Sequence, residues 1–173
     1  QIAQVTVLRG NQRGKIWLED LYSHPELDIA LRGGDRILIE EDTRSFVALG
    51  ATGAQQKVPF ETKNLSALEG IAQVGGLNAG TADPTGVFVF RNEPEAVVAQ
   101  VLGRNDLQGA QRMVYVLDLT KPNGMFMARD FVIRDGDTLY VTEAPFTQWS
   151  KVISSITGSA SSVNNLSSLA SSN

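Results

Sequence analysis

One pattern is written twice in this chain of 173 residues, and a duplicated unit narrows the choice of fold more than any single residue does. Val5–Arg9, Ile16–Leu21 and Leu31–Glu41 reappear as Val87–Arg91, Val114–Leu119 and Ile133–Glu143. Each copy consists of short β-branched and apolar runs bounded by Gly and Asp, the pattern of a small β unit. Gly34-Asp35 and Gly136-Asp137 stand just before the last strand of each copy. There Gly can take a positive φ and an Asp side chain can bond nearby backbone amides, so all four are predicted to be turn residues. Each aspartate lacks the second carboxylate or the His neighbour that acid–base or metal chemistry needs.

The strand pattern is predicted at 5–8, 36–40, 45–49, near Val58, and at 87–90, 114–117 and 138–141. Between them lies the clearest helix. Asn64 is its expected N-cap, Leu65, Leu68, Ile71 and Ala72 share a face, and Gly75-Gly76 stop it after about ten residues. A short helix is expected after Pro94 and a turn at Thr120–Gly124. One helix crossing a small mixed sheet is the outline of a β-grasp domain. The first copy has its strands and its Gly-Asp turn, yet nothing ahead of Val5 supplies a helix. A half-domain cannot bury its own sheet face, so either its missing half belongs to a longer parent protein or another segment packs there. The opening at Gln1, without Met or a leader-like segment, points the same way, to a piece of a longer protein.

The C-terminal tail is of a different kind. Phe146, Trp149, Val152, Ile153, Ile156, Val163 and Leu166 recur at helical spacing, while Ser150, Ser154, Thr157 and Ser161 lie opposite, and Lys151 is the only charge after Glu143. A surface helix would carry several charges on its polar face. Residues 146–169 would make about 36 Å of helix, enough for a bilayer core of about 30 Å. The segment is too polar to cross alone, but it could cross as one stave of a ring, apolar side toward lipid and hydroxyls toward water. A flexible Ser-rich extension is the competing reading of the same composition.

Several classes are disfavoured. With a net charge of -4 and no dense basic patch, no nucleic-acid partner is expected. Cysteine is absent, so there is no thiolate metal site, disulfide or cysteine nucleophile. His24 is the only histidine and sits beside Pro25 in a turn-like stretch. Gly50–Gly53 and Gly75-Gly76 lack the P-loop Lys and the dinucleotide fingerprint, and no serine stands in a nucleophile elbow. No cofactor, metal or catalytic residue is expected. Trp17, Phe88, Phe90, Tyr115 and Tyr140 could face sugar rings, but within strand patterns aromatics more often pack.

The segment Asn64–Leu77, followed by Ala82-Asp83 and a strand ending in Arg91, resembles the helix and glycine pair of the soluble-ligand-binding β-grasp (SLBB) domain. Asp135–Val141 resembles its closing turn and strand. Continued into Ala144-Pro145 and the amphipathic tail, the order is similar to the C-terminal half of the outer-membrane polysaccharide export family of Gram-negative bacteria. Phe90–Pro94 and the stretch from Leu117 to Ala128 look closer to the branch that works with ABC-type capsule exporters. Val74 departs from the Ala common before the glycine pair, and the family's lipoprotein signal and polysaccharide-export domain have no counterpart in this sequence.

The resemblance implies an α+β fold of tandem β-grasp (SLBB) domains, the first incomplete, followed by a C-terminal helix that joins an α-helical barrel on oligomerisation. The corresponding division is 1–44, 45–144 and 145–173. It implies a non-catalytic export component in the periplasm and outer membrane. Its partners would be further copies in a ring, an octamer by that resemblance, capsular or exopolysaccharide in the lumen, and an inner-membrane polysaccharide co-polymerase or ABC-type exporter. Phe146, Trp149, Val152, Ile153, Ile156, Val163 and Leu166 would face lipid or neighbouring helices, and Ser150, Ser154, Thr157 and Ser161 the pore. The alternatives are a periplasmic glycan-binding module with a non-spanning tail, and a glycan hydrolase, which would need a carboxylate pair the sequence does not display.

Overall fold

The computed structural model describes residues 2–104 and 106–143. The tail residues assigned above to lipid and pore lie outside the described residues. Among the described residues, no helix is long and apolar enough to cross a membrane. The described residues divide into two compact units, one comprising those up to Arg44 with Pro59–Leu65, the other Ser45–Val58 and the described residues from Ser66 on.

In the first unit β1 (Ala3–Arg9) and β2 (Gln12–Trp17) form a hairpin, α1 (Leu18–Ser23) follows, and β3 (Arg36–Glu41) returns along β1. The sheet order is β2-β1-β3, antiparallel throughout. Gly10 makes the hairpin turn at φ 56°. Leu18–Ser23, within the run matched to Val114–Leu119, is helical with Glu19 and Asp20 in the first turn, where carboxylates favour the helix N-terminus. His24 and Pro25 lie in the turn that follows, with Pro25–Leu27 a single 3-10 turn. Arg44 closes this unit. Its guanidinium lies 4.8 Å from the ring centres of both Trp17 and Phe60 and bonds Asp42 and the Lys63 carbonyl, while Lys63 pairs with Asp20 at 2.6 Å.

The second unit is a β-grasp. Its elements are β4 (Ser45–Gly50), β5 (Gln56–Pro59), β6 (Leu65–Ser66), α2 (Ala67–Gln73), β7 (Val87–Glu93), α3 (Glu95–Leu102), β8 (Gln111–Leu117), α4 (Gly124–Asp130), β9 (Val132–Ile133) and β10 (Thr138–Val141). The five-stranded sheet runs β5-β4-β10-β7-β8. At its centre β4 pairs in parallel with β10, and β10 pairs antiparallel with β7, so the first and last strands of the unit meet. A parallel pair needs a crossover, and α2 lies on it. Ala48, Leu139, Val89 and Tyr115 are paired in one row across four strands and therefore share a face with Phe46, two residues before Ala48. Gly70 of α2 sits against that face, where a Cβ would come 3.3 Å from the Phe46 ring. Phe46, Ala48, Val89 and Leu139 are fully buried.

The cap of α2 is Ser66, not Asn64. Ser66 and Glu69 form a reciprocal capping box, the Ser66 hydroxyl accepting from the Glu69 amide at 3.2 Å and the Glu69 carboxylate accepting from the Ser66 amide at 2.8 Å. The S-x-x-E signal outranks a lone Asn, and it shortens the helix to seven residues. Gly75 and Gly76, at φ 84° and 80°, end it, with the Gly76 amide bonding the Ile71 carbonyl at 2.9 Å. The short helix after Pro94 is α3. Beyond Thr120–Gly124 the chain forms α4, which was not expected.

The two units repeat one three-stranded core. β2-β1-β3 corresponds to β8-β7-β10 in order and sense. In the row of paired residues, Ile37–Val7–Gly14 matches Leu139–Val89–Tyr115. The middle segments align three residues away from the sequence pairing, since Ile16 faces Val5 while Leu117, not Val114, faces Val87.

Candidate functional site

The residues singled out as turns are half of a more specific device. Gly34 takes φ 93° and Gly136 φ 80°, and each delivers the following aspartate under its own strand. Asp35 accepts from the Arg32 amide at 2.8 Å, and Asp137 from the Arg134 amide at 2.8 Å. The other partner in each case is an arginine at or near the end of the first strand. Arg9 donates Nε to Asp35 Oδ1 at 2.8 Å and Nη2 to Oδ2 at 2.6 Å, with a second bond from Nη2 to the Ala30 carbonyl at 2.9 Å. Arg91 donates Nε to Asp137 Oδ1 at 2.9 Å, Nη2 to Oδ2 at 2.6 Å, and Nη2 to the Val132 carbonyl at 2.8 Å. The clasp is the same bond for bond in both units. Its two-point geometry is available to Arg and not to Lys.

Around Arg91 the clasp is extended. Its Nη1 approaches Glu93 at 3.3 Å, Arg134 donates to the other Glu93 oxygen at 2.8 Å, and the Tyr115 hydroxyl donates to Glu93 Oε1 at 2.8 Å. The guanidinium lies 5.5 Å from the Tyr115 ring centre and 5.0 Å from that of Phe131. Glu93 and Asp137 are buried. Burial pushes the Glu93 carboxyl up, but the Tyr115 hydroxyl and the two arginines outweigh it and hold its pKa below the ordinary carboxylate value. Burial, reinforced by the bond to Glu93, raises the Tyr115 phenol to about 12. In the first unit, the bond from Arg9, with the Arg32 amide, lowers Asp35 to about 2.

Neither arginine was assigned a role from sequence. The signal was present, because Arg ends the first repeated run of each copy, Val5–Arg9 and Val87–Arg91. The aromatics considered for sugar contact mostly pack. Phe88 is buried, with Phe90 and Tyr140 rings 6.4 Å away, Trp17 stacks on Arg44, and Tyr115 belongs to the Arg91 cluster. Gly75 and Gly76 end a helix and lie far in sequence from the clasps. Among the described residues, no group of three or more His, Cys, Asp or Glu side chains could hold a metal ion.

The first unit differs most in what it leaves uncovered. Ile37 and Ile39, counterparts of the buried Leu139 and Val141, are 47% and 69% exposed. Ile37, together with Val5, Val7 and Ile16, floors a cavity of about 620 Å³.

The SLBB domain model matches residues 44–141, which is the mixed sheet with its Arg91 clasp. The chain belongs to the SLBB family. Among curated relatives, the capsule polysaccharide export outer membrane protein CtrA of Neisseria meningitidis is 34% identical over 96% of this chain and 46% of its own length. The capsule polysaccharide export protein BexD of Haemophilus influenzae is 34% identical over 93% of this chain and 43% of its own. The Vi polysaccharide export protein VexA/TviF of Salmonella typhi is 34% identical over 78% and 36%. This SLBB chain therefore spans less than half the length of these relatives. They are the polysaccharide export proteins whose motifs its sequence resembles, and they are named for export and not for a reaction.

Proposed function

We propose that this SLBB chain is part of a subunit of an outer-membrane polysaccharide export channel. The observation that carries the reading is the likeness to CtrA, which runs over 96% of the chain, through both units and into the tail. The α+β SLBB unit serves as a scaffold, and export requires no catalytic group. In this reading several copies stack their β-grasp units as a periplasmic ring. Their tails close a helical barrel, with Phe146, Trp149, Val152, Ile153, Ile156, Val163 and Leu166 outward and Ser150, Ser154, Thr157 and Ser161 toward the lumen. A hydroxylated, nearly uncharged wall offers hydrogen bonds to a hydrated glycan without an electrostatic trap. An inner-membrane exporter would feed the ring.

The first unit, in the same reading, is the C-terminal part of a β-grasp domain. Ile37 and Ile39 stand where Leu139 and Val141 are buried beside β4 in the second unit. A preceding strand and helix would cover Ile37 and Ile39 in the same way, and relatives more than twice as long have sequence to provide them.

The test is surface display of polysaccharide by cells that depend on this protein, with Ile156→Asp in the tail. A charge placed on the lipid face should abolish display while the protein accumulates in the periplasm. Normal display by this variant would overturn the barrel assignment.

A further inference from the structure

The two clasps differ in what surrounds the arginine. In the second unit Tyr115 and Phe131 flank Arg91, and Glu93 takes up Nη1 of both Arg91 and Arg134. In the first unit the corresponding row places Gly14 where Tyr115 stands. Ile29 takes the place of Phe131, three residues before the clasp amide in each copy, and the residue two beyond the arginine is Asn11 instead of Glu93. What remains is a cavity of about 460 Å³ lined by Val7, Arg9, Gln12, Arg13, Gly14 and Ile29. The Arg9 side chain is 31% exposed, against 7% for Arg91. Among the described residues, Nη1 of Arg9 and the side chains of Arg13 and Arg32 make no hydrogen bond or ion pair.

We infer that this cavity is a binding site for the carboxylate of an acidic sugar residue, which takes the place that Glu93 and Tyr115 fill in the second unit. The second unit shows what the clasp accepts. A carboxylate bridges the free Nη1 of the clasp arginine and the guanidinium two residues beyond Val132, while a six-membered ring lies against the clasp. The first unit offers the same arginine with Nη1 open, Arg32 as the counterpart of Arg134, and Arg13 as a third positive charge. Its empty ring position is walled by Val7 and Ile29, which suits the C–H face of a pyranose. Guanidinium groups favour carboxylates through two-point, charge-assisted bonds. The volume lies in the range of small-ligand pockets, about 300–1,000 Å³. A neutral glycan would leave the arginines without a partner. That the carboxylate belongs to a sugar rests on the export reading; that it is a carboxylate rests on the comparison of the two clasps.

The experiment is calorimetric titration of the chain at low salt with a glucuronate-containing tetrasaccharide, its carboxyl-reduced analogue, and a glutamate-containing peptide. Two variants accompany it. Gly14→Tyr refills the ring position, and a Cβ at Gly14 meets nothing within 4 Å, so the fold tolerates it. Arg13→Gln removes an exposed charge. The expected result is saturable binding of one tetrasaccharide per chain, at least about tenfold weaker for the reduced analogue and weakened by Arg13→Gln. Gly14→Tyr should abolish binding with an unchanged thermal transition. Equal affinity for the reduced analogue, absence of saturation up to about 20 mM, or full binding by Gly14→Tyr would overturn the inference. Tighter binding of the peptide would overturn the sugar assignment. Ring assembly, measured separately, reports on the export reading alone, so tail-dependent rings without carboxylate-dependent binding would sink only this inference.

Discussion

Arg91 and Asp137, 46 residues apart in sequence, meet in two bonds of 2.9 and 2.6 Å with side chains 7% and 1% exposed, and Arg9 and Asp35 repeat the pair 26 residues apart in the first unit. The clasp staples the end of one strand to the turn that starts another. Duplication kept the staple while the chain between its ends grew by α3 and its loops.

Arg91→Ala should therefore leave Asp137 and Glu93 buried without their shared cation. Removing one partner of a buried ion pair costs about 3–5 kcal/mol, and that loss should appear in urea unfolding monitored by Tyr and Trp fluorescence. Arg9→Ala should cost clearly less, since the Arg9 side chain is 31% exposed. Equal losses would mean that the two clasps do not differ in burial as described.

Acidification should weaken the fold through Asp35. Its folded pKa of about 2 lies below the ordinary 3.8, so the stabilisation is fully present above pH 3.8 and is lost as pH falls toward 2. Glu93, also depressed, adds in the same direction. Asp35→Asn should flatten the fall in stability across that window, read from thermal midpoints at several pH values. An unchanged slope would contradict the assignment.

Gly34→Ala and Gly136→Ala test the turns. No heavy atom lies within 4 Å of either added Cβ, so only the positive φ matters, and each should lose about 1–2 kcal/mol of stability. Loss of the Ser66 cap in Ser66→Ala should lower stability by about 1 kcal/mol, measurable by the same unfolding transition. A Ser66→Ala variant of unchanged stability would leave the capping box without energetic weight.

How much of this was legible in the sequence follows from the range of the interactions. Gly34-Asp35 and Gly136-Asp137 were readable because a turn is local, and α2 was readable from its apolar face and Gly75-Gly76. Its cap was misplaced by two residues, because Asn64 was preferred although Ser66 has Glu69 three residues later. α1 was not anticipated, because Ile16-Trp17-Leu18 is a short apolar run, and such runs do not separate helix from strand by period alone. The partners of the aspartates were not legible. Arg91 and Asp137 meet only after three strands have paired, and nothing local to Arg91 marks it as structural. The repeat did hold that information, since Arg ends the first run of each copy. The vacancy opposite Gly14 required the register of both sheets.

The central claim is the export channel, and the most direct measurement is particle mass in mild detergent, by mass photometry, with and without residues 145–173. The account predicts closed rings of uniform mass that depend on the tail. Monomers both with and without the tail would contradict it.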